Sequence, residues 1–245
     1  MPRRVRLDAE LVARGFFSTT DEAMRAVMAG EVSTSDRRMT SPGEQVKPGI
    51  ELHVRGRRAY ASRGGLKLER GLEVLGVDPS GLACVDVGCS TGGFTDCLLQ
   101  HGAARVLAVD VGRAQFDWAL RQDARVTLLE QTNIVDVPNM PGQAGAYSLA
   151  VCDVSFTSVT TVLPAVVRLL APGGTFLTLV KPQFEAPHHQ VGEGGVVRDK
   201  TVRQEALQRV SQAMEEAGFV LGGHCESPIK GHKGNVEYLL VGRLK

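Results

Sequence analysis

The chain has 245 residues, of which 43% are hydrophobic and 22% charged, with a formal net charge of +1. This length predicts one large domain, or a medium domain with a small appendage, and the composition is that of an ordinary globular protein. No run of about 18 apolar residues occurs, which argues against a membrane span. The basic stretch 1–6 lacks the apolar segment that follows in a secretory signal.

The charge is unevenly distributed along the chain. Residues 1–70 carry 14 Lys and Arg against 9 Asp and Glu, giving +5, whereas residues 71–245 carry 14 against 18, giving −4. This asymmetry predicts a part that faces RNA or DNA, joined to a near-neutral enzyme. The five cysteines contain no C-x-x-C pair, so we expect reduced thiols, a cytoplasmic protein and no metal site.

The first sixty residues have the pattern of a small separate unit. Helical spacing covers 6–14 and stops at a glycine, and Thr20 is the predicted N-cap of a second helix over 21–29. Strand-like pieces at 31–33 and 50–54 are separated by Pro-Gly turn signals. The many arginines of this unit predict contacts with nucleic-acid phosphates, although scattered arginines also occur on solvated faces.

The rest of the chain alternates between strand and helix patterns. Predicted helices cover 66–75, 94–101, 113–121, 159–170 and 199–217, with Asp199 as the cap of the last one. Predicted strands cover 83–87, 106–110, 126–129, 149–152, 176–180, 219–224 and 236–241, with a Pro-Gly-Gly turn at 172–174. Such an alternation predicts a mostly parallel sheet covered on both faces, closed by a hairpin-like pair of strands.

A glycine-rich loop follows the first strand of this region. Its glycines are Gly88, Gly92 and Gly93, and Asp110 ends the next strand 22 positions after Gly88. Such a loop and carboxylate predict a cofactor that contains a nucleoside, with Asp110 on the ribose. The glycines match neither the dinucleotide fingerprint nor a P-loop, which favours S-adenosylmethionine. A strand-turn-helix unit with incidental glycines is the alternative.

Two charged residues stand directly after predicted strands. Asp153 and Lys181 should meet at the edge where open α/β sheets bind ligands. A lysine in such a place can act as the base that a weakly nucleophilic ribose hydroxyl needs for methyl transfer. A plain ion pair at the strand ends is the alternative.

Two sets of motifs resemble known families. Arg6-Leu7-Asp8, Leu11-Val12, Gly30-Glu31-Val32 and Lys47-Pro48-Gly49 resemble the S4-type RNA-binding domain, although its usual mid-domain turn is replaced by residues 33–36. Nearly the whole chain resembles the TlyA (hemolysin A) family of FtsJ-like ribosomal RNA 2′-O-methyltransferases. The longest matching runs are 62–69, 86–100, 108–112, 152–156, 180–185, 194–199 and 234–237.

The resemblance implies an α/β fold, namely a Rossmann-like methyltransferase sheet of seven strands, the last one antiparallel, preceded by a small α+β S4-type domain. The implied boundaries are 1–58 for the S4-type domain, 59–63 for a linker and 64–245 for the methyltransferase domain. Residues 58–65 are either a plain linker or a relay between RNA docking and the cofactor site.

The resemblance also implies the site residues. The implied catalytic tetrad is Lys67, Asp153, Lys181 and Glu237. We expect S-adenosylmethionine to contact Asp86, Gly88, Ser90, Thr91, Gly92, Gly93, Phe94, Asp110, Asn133 and Asp153. We expect RNA to contact Arg3, Arg4, Arg6, Arg14, Arg37, Arg38, Arg58 and Arg63.

The implied function is 2′-O-methylation of ribosomal RNA, with cytidine as the expected nucleoside and ribosomal subunits as partners. Two alternatives stay open at this point. The name hemolysin suggests a membrane-active protein, against which stands the lack of a spanning segment or of a long basic amphipathic helix. The other is an RNA-binding assembly factor of the ribosome, which the intact tetrad disfavours.

Overall fold

Helices and strands alternate along the chain in the computed structural model, which describes residues 4–14, 16–34, 36–55 and 59–245. Two units pack separately, Met1–Ser62 and Arg63–Lys245. The predicted S4-type boundary at residue 58 lies outside the described residues, and the first helix of the second unit begins at Gly64.

The first unit combines two short helices with two antiparallel strand pairs. Its elements are β1 (Val5–Arg6), α1 (Leu7–Ala13), α2 (Thr20–Met28), β2 (Val32–Ser33), β3 (Gln45–Val46) and β4 (His53–Val54). Strand β1 pairs with β3 and β2 pairs with β4. Buried apolar residues, among them Leu7, Leu11, Val27, Met39 and Val54, form a core that belongs to this unit.

Two details of the first unit differ from the prediction. The N-cap of α2 is Thr19, whose hydroxyl accepts the N–H of Glu22, and the predicted cap Thr20 is already helical. The two threonines are chemically equal, and only the extended backbone of Thr19 separates them. Strands β1 and β3 were not predicted, because a strand of two residues shows no periodicity.

The second unit is larger and contains the predicted alternation. Its helices are α3 (Gly64–Leu75), α4 (Gly93–Gln100), α5 (Trp118–Arg121), α6 (Val159–Leu169), α7 (Pro182–Glu185) and α8 (Lys200–Glu216). Its strands are β5 (Ala83–Val87), β6 (Arg105–Val109), β7 (Val126–Leu129), β8 (Tyr147–Cys152), β9 (Leu170–Val180), β10 (Phe219–Glu226) and β11 (Tyr238–Leu244). The Asp199 side chain caps α8 as predicted.

The strands of the second unit form one seven-stranded sheet in the order β10-β11-β9-β8-β5-β6-β7. Neighbours among β5 to β9 pair in parallel, and β11 runs antiparallel to both of its neighbours. The predicted sheet, with seven strands and the last one antiparallel, is confirmed. The carboxyl ends of five parallel strands and the amino end of β11 therefore share one edge.

Helices α3 and α4 contact each other, as do α6 and α8, and each of these helices packs on strands of the sheet. The core includes large buried side chains from the sheet and from α8, such as Leu149, Phe176, Met214 and Phe219. Helix α3 approaches the sheet closely, because Gly71 leaves space that Leu177 and Leu239 fill. This close approach positions the first turn of α3 near β9 and β11.

Two predictions for the second unit were wrong in detail. Of the helix predicted over 113–121, only Trp118–Arg121 is helical. The backbone N–H of Ala114 donates to Glu130 at 2.7 Å, and Ala114 has a φ of +58°. A contact with a residue 16 positions away thus replaces the helical hydrogen bonding. The turn predicted at 172–174 lies inside β9, where the pairing of β9 with β8 shifts in register.

Candidate active site

Three carboxylates and one lysine of the second unit lie at the shared edge of the sheet. Asp110 follows β6, Asp153 follows β8, Lys181 follows β9 and Glu237 immediately precedes β11. The glycine loop after β5 lies at the same edge, which is where open α/β sheets bind ligands. The fold thus brings together predicted site residues that lie up to 170 positions apart.

The glycines of the loop are required by the packing of the chain itself. A Cβ on Gly88, which has a φ of +80°, would lie 3.1 Å from the carbonyl oxygen of Asp153. A Cβ on Gly92, with a φ of +92°, would lie 2.5 Å from a methyl of Leu120. These glycines let the loop pass closely against neighbouring segments, so packing of the chain, and not only approach of a ligand, explains them.

Asp110 fastens the glycine loop to the next strand. Its Oδ2 accepts the N–H of Ser90 at 2.7 Å, and its Oδ1 accepts the N–H of Gly112 at 2.6 Å. A carboxylate oxygen has two lone-pair sites, so each oxygen keeps one site for a ligand hydroxyl. Asp110 is half-buried at the strand end, where a ribose would need such an acceptor.

Asp86 is a buried carboxyl group with one unpaired oxygen. Its Oδ2 accepts the hydroxyl of Thr95 at 2.7 Å, whereas its Oδ1 has no hydrogen-bond partner in the part of the chain that the structure describes. Burial, with a smaller contribution from the charge of Asp153, raises the pKa of Asp86 to about 7. An orphaned acceptor below a loop of this kind fits a ligand that carries an ammonium group.

The raised pKa of Asp86 predicts a pH-dependent stability. The native state binds a proton between about pH 4 and pH 7 that the unfolded chain has released, so the free energy of unfolding falls as pH rises through this window. We expect Asp86→Asn to remove this part of the fall. When thermal unfolding is measured without ligand from pH 4 to pH 8, the melting temperature of Asp86→Asn should change less with pH than that of the wild type. The surface variant Glu73→Gln should keep the wild-type slope, and an unchanged slope in Asp86→Asn would contradict the assignment.

The other predicted cofactor residues lie after β7, in the glycine loop and in the first turn of α4. Asn133 is exposed after β7, and the N–H of the preceding Thr132 donates to the carbonyl of Asp110, so Asn133 lies near the crevice. Ser90, with a φ of +46°, and Thr91 belong to the loop. Gly93 and Phe94 are buried in the first turn of α4, and only 3% of Phe94 is exposed. Phe94 therefore belongs to the core, and its backbone is the part available to a ligand.

Lys181 and Asp153 form one ion pair of the site. The Lys181 ammonium lies 2.5 Å from Oδ1 of Asp153 and donates to the hydroxyl of Ser155 at 2.8 Å. It also lies 5.9 Å from the ring centroid of Phe184, within range of a cation–π contact. Only 9% of the lysine side chain is exposed. A carboxylate, a hydroxyl and an aromatic ring thus orient this amine.

Lys67 and Glu237 form the second ion pair. The Lys67 ammonium lies 2.6 Å from Oε2 of Glu237, and the amide of Gln183 lies 3.5 Å from Oε1. Tyr238 pairs with Val180 across β11 and β9, so the next residue on each strand, Glu237 and Lys181, meets at the sheet edge. The predicted tetrad therefore forms two ion pairs at neighbouring strand ends.

Phe156 is a feature that sequence reasoning did not single out. Its side chain is 91% exposed, its φ is +63°, and its ring lies 5.3 Å from the ring of Phe184. A positive φ in a bulky residue is a strained conformation that commonly accompanies function. The sequence carries no signal for it, because neither exposure nor φ can be read from an isolated phenylalanine.

Glu185 is a second residue that sequence reasoning missed. It is buried, and it accepts the hydroxyl of Ser158 at 2.5 Å and the N–H of Val159 at 2.8 Å. Burial raises the pKa of this carboxyl group. Glu185 thus fastens α7, which follows Lys181, to the start of α6, which follows the Asp153 loop.

The predicted RNA-binding arginines are only partly on open surface. Arg3 and Arg58 lie outside the described residues. Arg14 is half-buried and donates to the carbonyl of Ile50 at 2.6 Å, so it supports the fold of its own unit. The other five are exposed, namely Arg4, Arg6, Arg37, Arg38 and Arg63. Arg6 pairs with Asp8, and Arg37 pairs with Glu44.

Three further findings bear on the expectations from composition. All five cysteines are free thiols, and four of them are buried. Among the described residues, no group of three or more His, Cys, Asp or Glu side chains could hold a metal ion. Within 4–14, 16–34, 36–55 and 59–245, no helix combines the length and apolar character needed to cross a membrane.

Known proteins resemble this chain over nearly its whole length. Residues 60–244 match the family model described as FtsJ-like methyltransferase. The 16S/23S rRNA (cytidine-2′-O)-methyltransferase TlyA of Mycobacterium tuberculosis is 42% identical over 98% of this chain and 90% of its own. Hemolysin A of Brachyspira hyodysenteriae is 37% identical over 96% of this chain and 98% of its own. A solved structure of a candidate hemolysin from Streptococcus thermophilus, 40% identical, matches 100% of this chain and 90% of its own with a TM-score of 0.74.

A Rossmann-like sheet with a glycine loop and a carboxylate at its strand ends is a framework that binds nucleoside-containing cofactors, and the family match makes it here the framework of a methyltransferase. The match of residues 60–244, together with relatives above 30% identity over almost the whole chain, makes the assignment more specific. The chain belongs to the FtsJ-like methyltransferase family. The predictions of the FtsJ-like family, the seven-stranded Rossmann-like sheet and the cofactor are thereby confirmed, whereas the S4-type character of the first unit stays a prediction.

Proposed function

We propose that this chain methylates the 2′-hydroxyl of a ribose in ribosomal RNA, with cytidine as the target nucleoside. The observation that carries the proposal is the presence of two ion pairs, Lys181–Asp153 and Lys67–Glu237, each with one buried member, at one sheet edge beside the glycine loop. The Mycobacterium tuberculosis relative, 42% identical, is named for this reaction on 16S and 23S rRNA, which supports both substrate and nucleoside.

The chemistry of the proposed reaction requires removal of one proton. Lys181, as the neutral amine, takes the proton of the 2′-hydroxyl, and Asp153 stabilises the ammonium that forms. S-adenosylmethionine, held by Asp110 and the glycine loop, would supply a methyl group on a positively charged sulfur, which would depart as a neutral thioether when the ribose oxygen takes the methyl group. Lys67 and Glu237 hold the ribose in line with that methyl group.

We further propose that residues 1–58 form an S4-type unit that binds the RNA and that ribosomal subunits are the substrate particles. Exposed arginines of this unit, Arg4 and Arg38 among them, supply contacts to phosphates, whereas Arg14 supports the fold. The exposed ring of Phe156 beside the Lys181–Asp153 pair is placed to stack on the target base. An enzyme that acts on ribosomal RNA works where ribosomes are assembled, so the proposed location is the cytoplasm.

The cofactor assignment predicts the effect of Asp110→Ala. This change removes a charge-assisted hydrogen bond to the ribose, worth about 1.5–3 kcal/mol, so affinity for S-adenosylmethionine should fall by roughly tenfold to a hundredfold. Isothermal titration calorimetry measures this affinity directly. Because Asp110 also anchors the N–H groups of Ser90 and Gly112, Asp110→Asn is the matched variant that keeps one oxygen. Unchanged affinity in Asp110→Ala would show that the ribose binds elsewhere.

A map of 2′-O-methyl groups on ribosomal RNA, from cells with and without the gene, tests the function. We expect at least one cytidine to lose its 2′-O-methyl group when the gene is deleted, and to regain it on complementation with the wild-type gene. Complementation with Lys181→Ala should fail. An identical methylation map in the two strains would refute the proposed substrate and leave the role of a ribosome assembly factor in its place.

A further inference from the structure

We propose that the loop 227–236 fixes the position of Glu237, and that Gly231 and Asn235 are positioning residues for methyl transfer. This inference rests on the proposed function, because it takes Glu237 as part of the catalytic machinery. No sequence pattern discussed above assigns a role to either residue. Gly231 is identified by its closeness to the Glu237 carboxylate, and Asn235 by its hydrogen bonds to Gly231 and to the segment that precedes α8.

Gly231 leaves no space for a side chain. A Cβ at this position would lie 1.9 Å from Oε1, 2.4 Å from Cδ and 3.0 Å from Oε2 of Glu237, and Cβ contacts below 3.0 Å are essentially never seen. The Oε2 atom is held by Lys67 at 2.6 Å, and only 1% of Glu237 is exposed. The carboxylate therefore lies between the Lys67 ammonium and the backbone of Gly231, and a methyl group on residue 231 would have to displace it from this position.

Asn235 holds Gly231 against this carboxylate. Its backbone carbonyl accepts the N–H of Gly231 at 2.8 Å. Its side chain, buried in a residue that is 2% exposed, accepts the N–H of Val197 at 3.0 Å and donates to the carbonyl of Gly195 at 2.8 Å. A buried amide with these partners connects the loop to the segment before α8. The loop therefore has a fixed anchor outside itself.

The two ends of the loop are tied as well. The N–H of Ser227 donates to the carbonyl of Glu237 at 2.9 Å, which closes the base of the loop. Glu237 is thus fixed at its backbone by Ser227 and at its carboxylate by Gly231 and Lys67. Since misplacement of a catalytic group by about 1 Å can cost about a hundredfold in rate, this loop has a direct path to the reaction.

Gly231→Ala is the first test, measured as the single-turnover rate with S-adenosylmethionine and ribosomal subunits from cells lacking the gene. We expect the rate to fall by about a hundredfold, with unchanged affinity for S-adenosylmethionine. Gly234→Ala is the matched control, because it lies in the same turn, has a φ of +90° and meets no atom within 4 Å. It should keep most of the rate, although its positive φ makes alanine unfavourable. Asn235→Asp, which lacks the donor to Gly195, should also slow the reaction.

A stability cycle shows whether Gly231 acts through Glu237. Gly231→Ala should lower the melting temperature of the full chain, because it forces the alanine methyl against the carboxylate. In the Glu237→Ala variant there is no carboxylate for the alanine methyl to meet, so Gly231→Ala should lower the melting temperature little or not at all. A general structural role of Gly231 would instead lower the melting temperature equally in both backgrounds. This measurement does not require any remaining activity.

The outcomes separate the inference from the proposed function. A near-normal rate in Gly231→Ala, or equal stability losses in the two backgrounds, overturns the positioning role. A normal rate in Glu237→Ala overturns the catalytic assignment of Glu237, even where the stability cycle shows strong coupling. A slow Gly231→Ala enzyme, an active Gly234→Ala enzyme and a coupled cycle together support the inference.

Discussion

Lys181→Ala should abolish methyl transfer while the affinities for S-adenosylmethionine and RNA stay near their wild-type values. The side chain is held by Asp153 at 2.5 Å and by Ser155 at 2.8 Å, and it is almost completely buried, so it contributes little surface for binding. Its loss removes the group that takes the proton from the ribose hydroxyl. Single-turnover measurements with labelled S-adenosylmethionine, beside separate binding titrations, separate the two effects.

Lys181→Arg distinguishes a base from an electrostatic clamp. Arginine keeps the positive charge and the pairing with Asp153, but it cannot give up a proton at ordinary pH. If Lys181 is the base, the arginine enzyme should be as inactive as the alanine enzyme. A substantially active Lys181→Arg enzyme would falsify the base assignment and leave Lys181 as an orienting charge.

The positions of the parallel strands could be predicted from the sequence because each is a short apolar run that ends at a charged residue or a glycine. Asp110, Asp153 and Lys181 each follow such a run, and parallel strands bring their carboxyl ends to one edge. That rule places three site residues without knowledge of any contact. Because β11 is antiparallel, its amino end lies at this edge, and Glu237 immediately precedes that end.

The contacts within the site could not be predicted from local patterns. Lys67 and Glu237 are 170 positions apart, and only the resemblance to a family brought them together at the sequence level. The segment after Asp110 has the spacing of a helix, yet it is a loop in which Gly112 contacts the neighbouring Asp110 carboxylate and Ala114 contacts the carboxylate of Glu130, 16 positions away. Gly231 has an ordinary turn composition around it, and its proximity to Glu237 is visible only in three dimensions.

Removal of residues 1–62 should leave a folded domain that binds S-adenosylmethionine but methylates ribosomal subunits poorly. The seven-stranded sheet and its core lie entirely within 63–245, so the domain does not need the first unit for its own packing. The exposed arginines of the first unit are lost with it. Because several phosphate contacts together contribute orders of magnitude in affinity, we expect kcat/KM for ribosomal subunits to fall by about a hundredfold or more.

The salt dependence of RNA binding provides the control for this deletion. In the full chain, Arg4→Gln and Arg38→Gln each remove one exposed cation of the first unit, whereas Lys245→Gln removes one at the end of the second. Each phosphate contact contributes roughly 0.7 to 0.9 to the slope of log affinity against log salt concentration. The two arginine variants should each lower the slope by about that amount, and Lys245→Gln should leave it unchanged. If the truncated chain methylates subunits at the full rate, or if neither arginine changes the slope, the first unit does not anchor the RNA through its arginines.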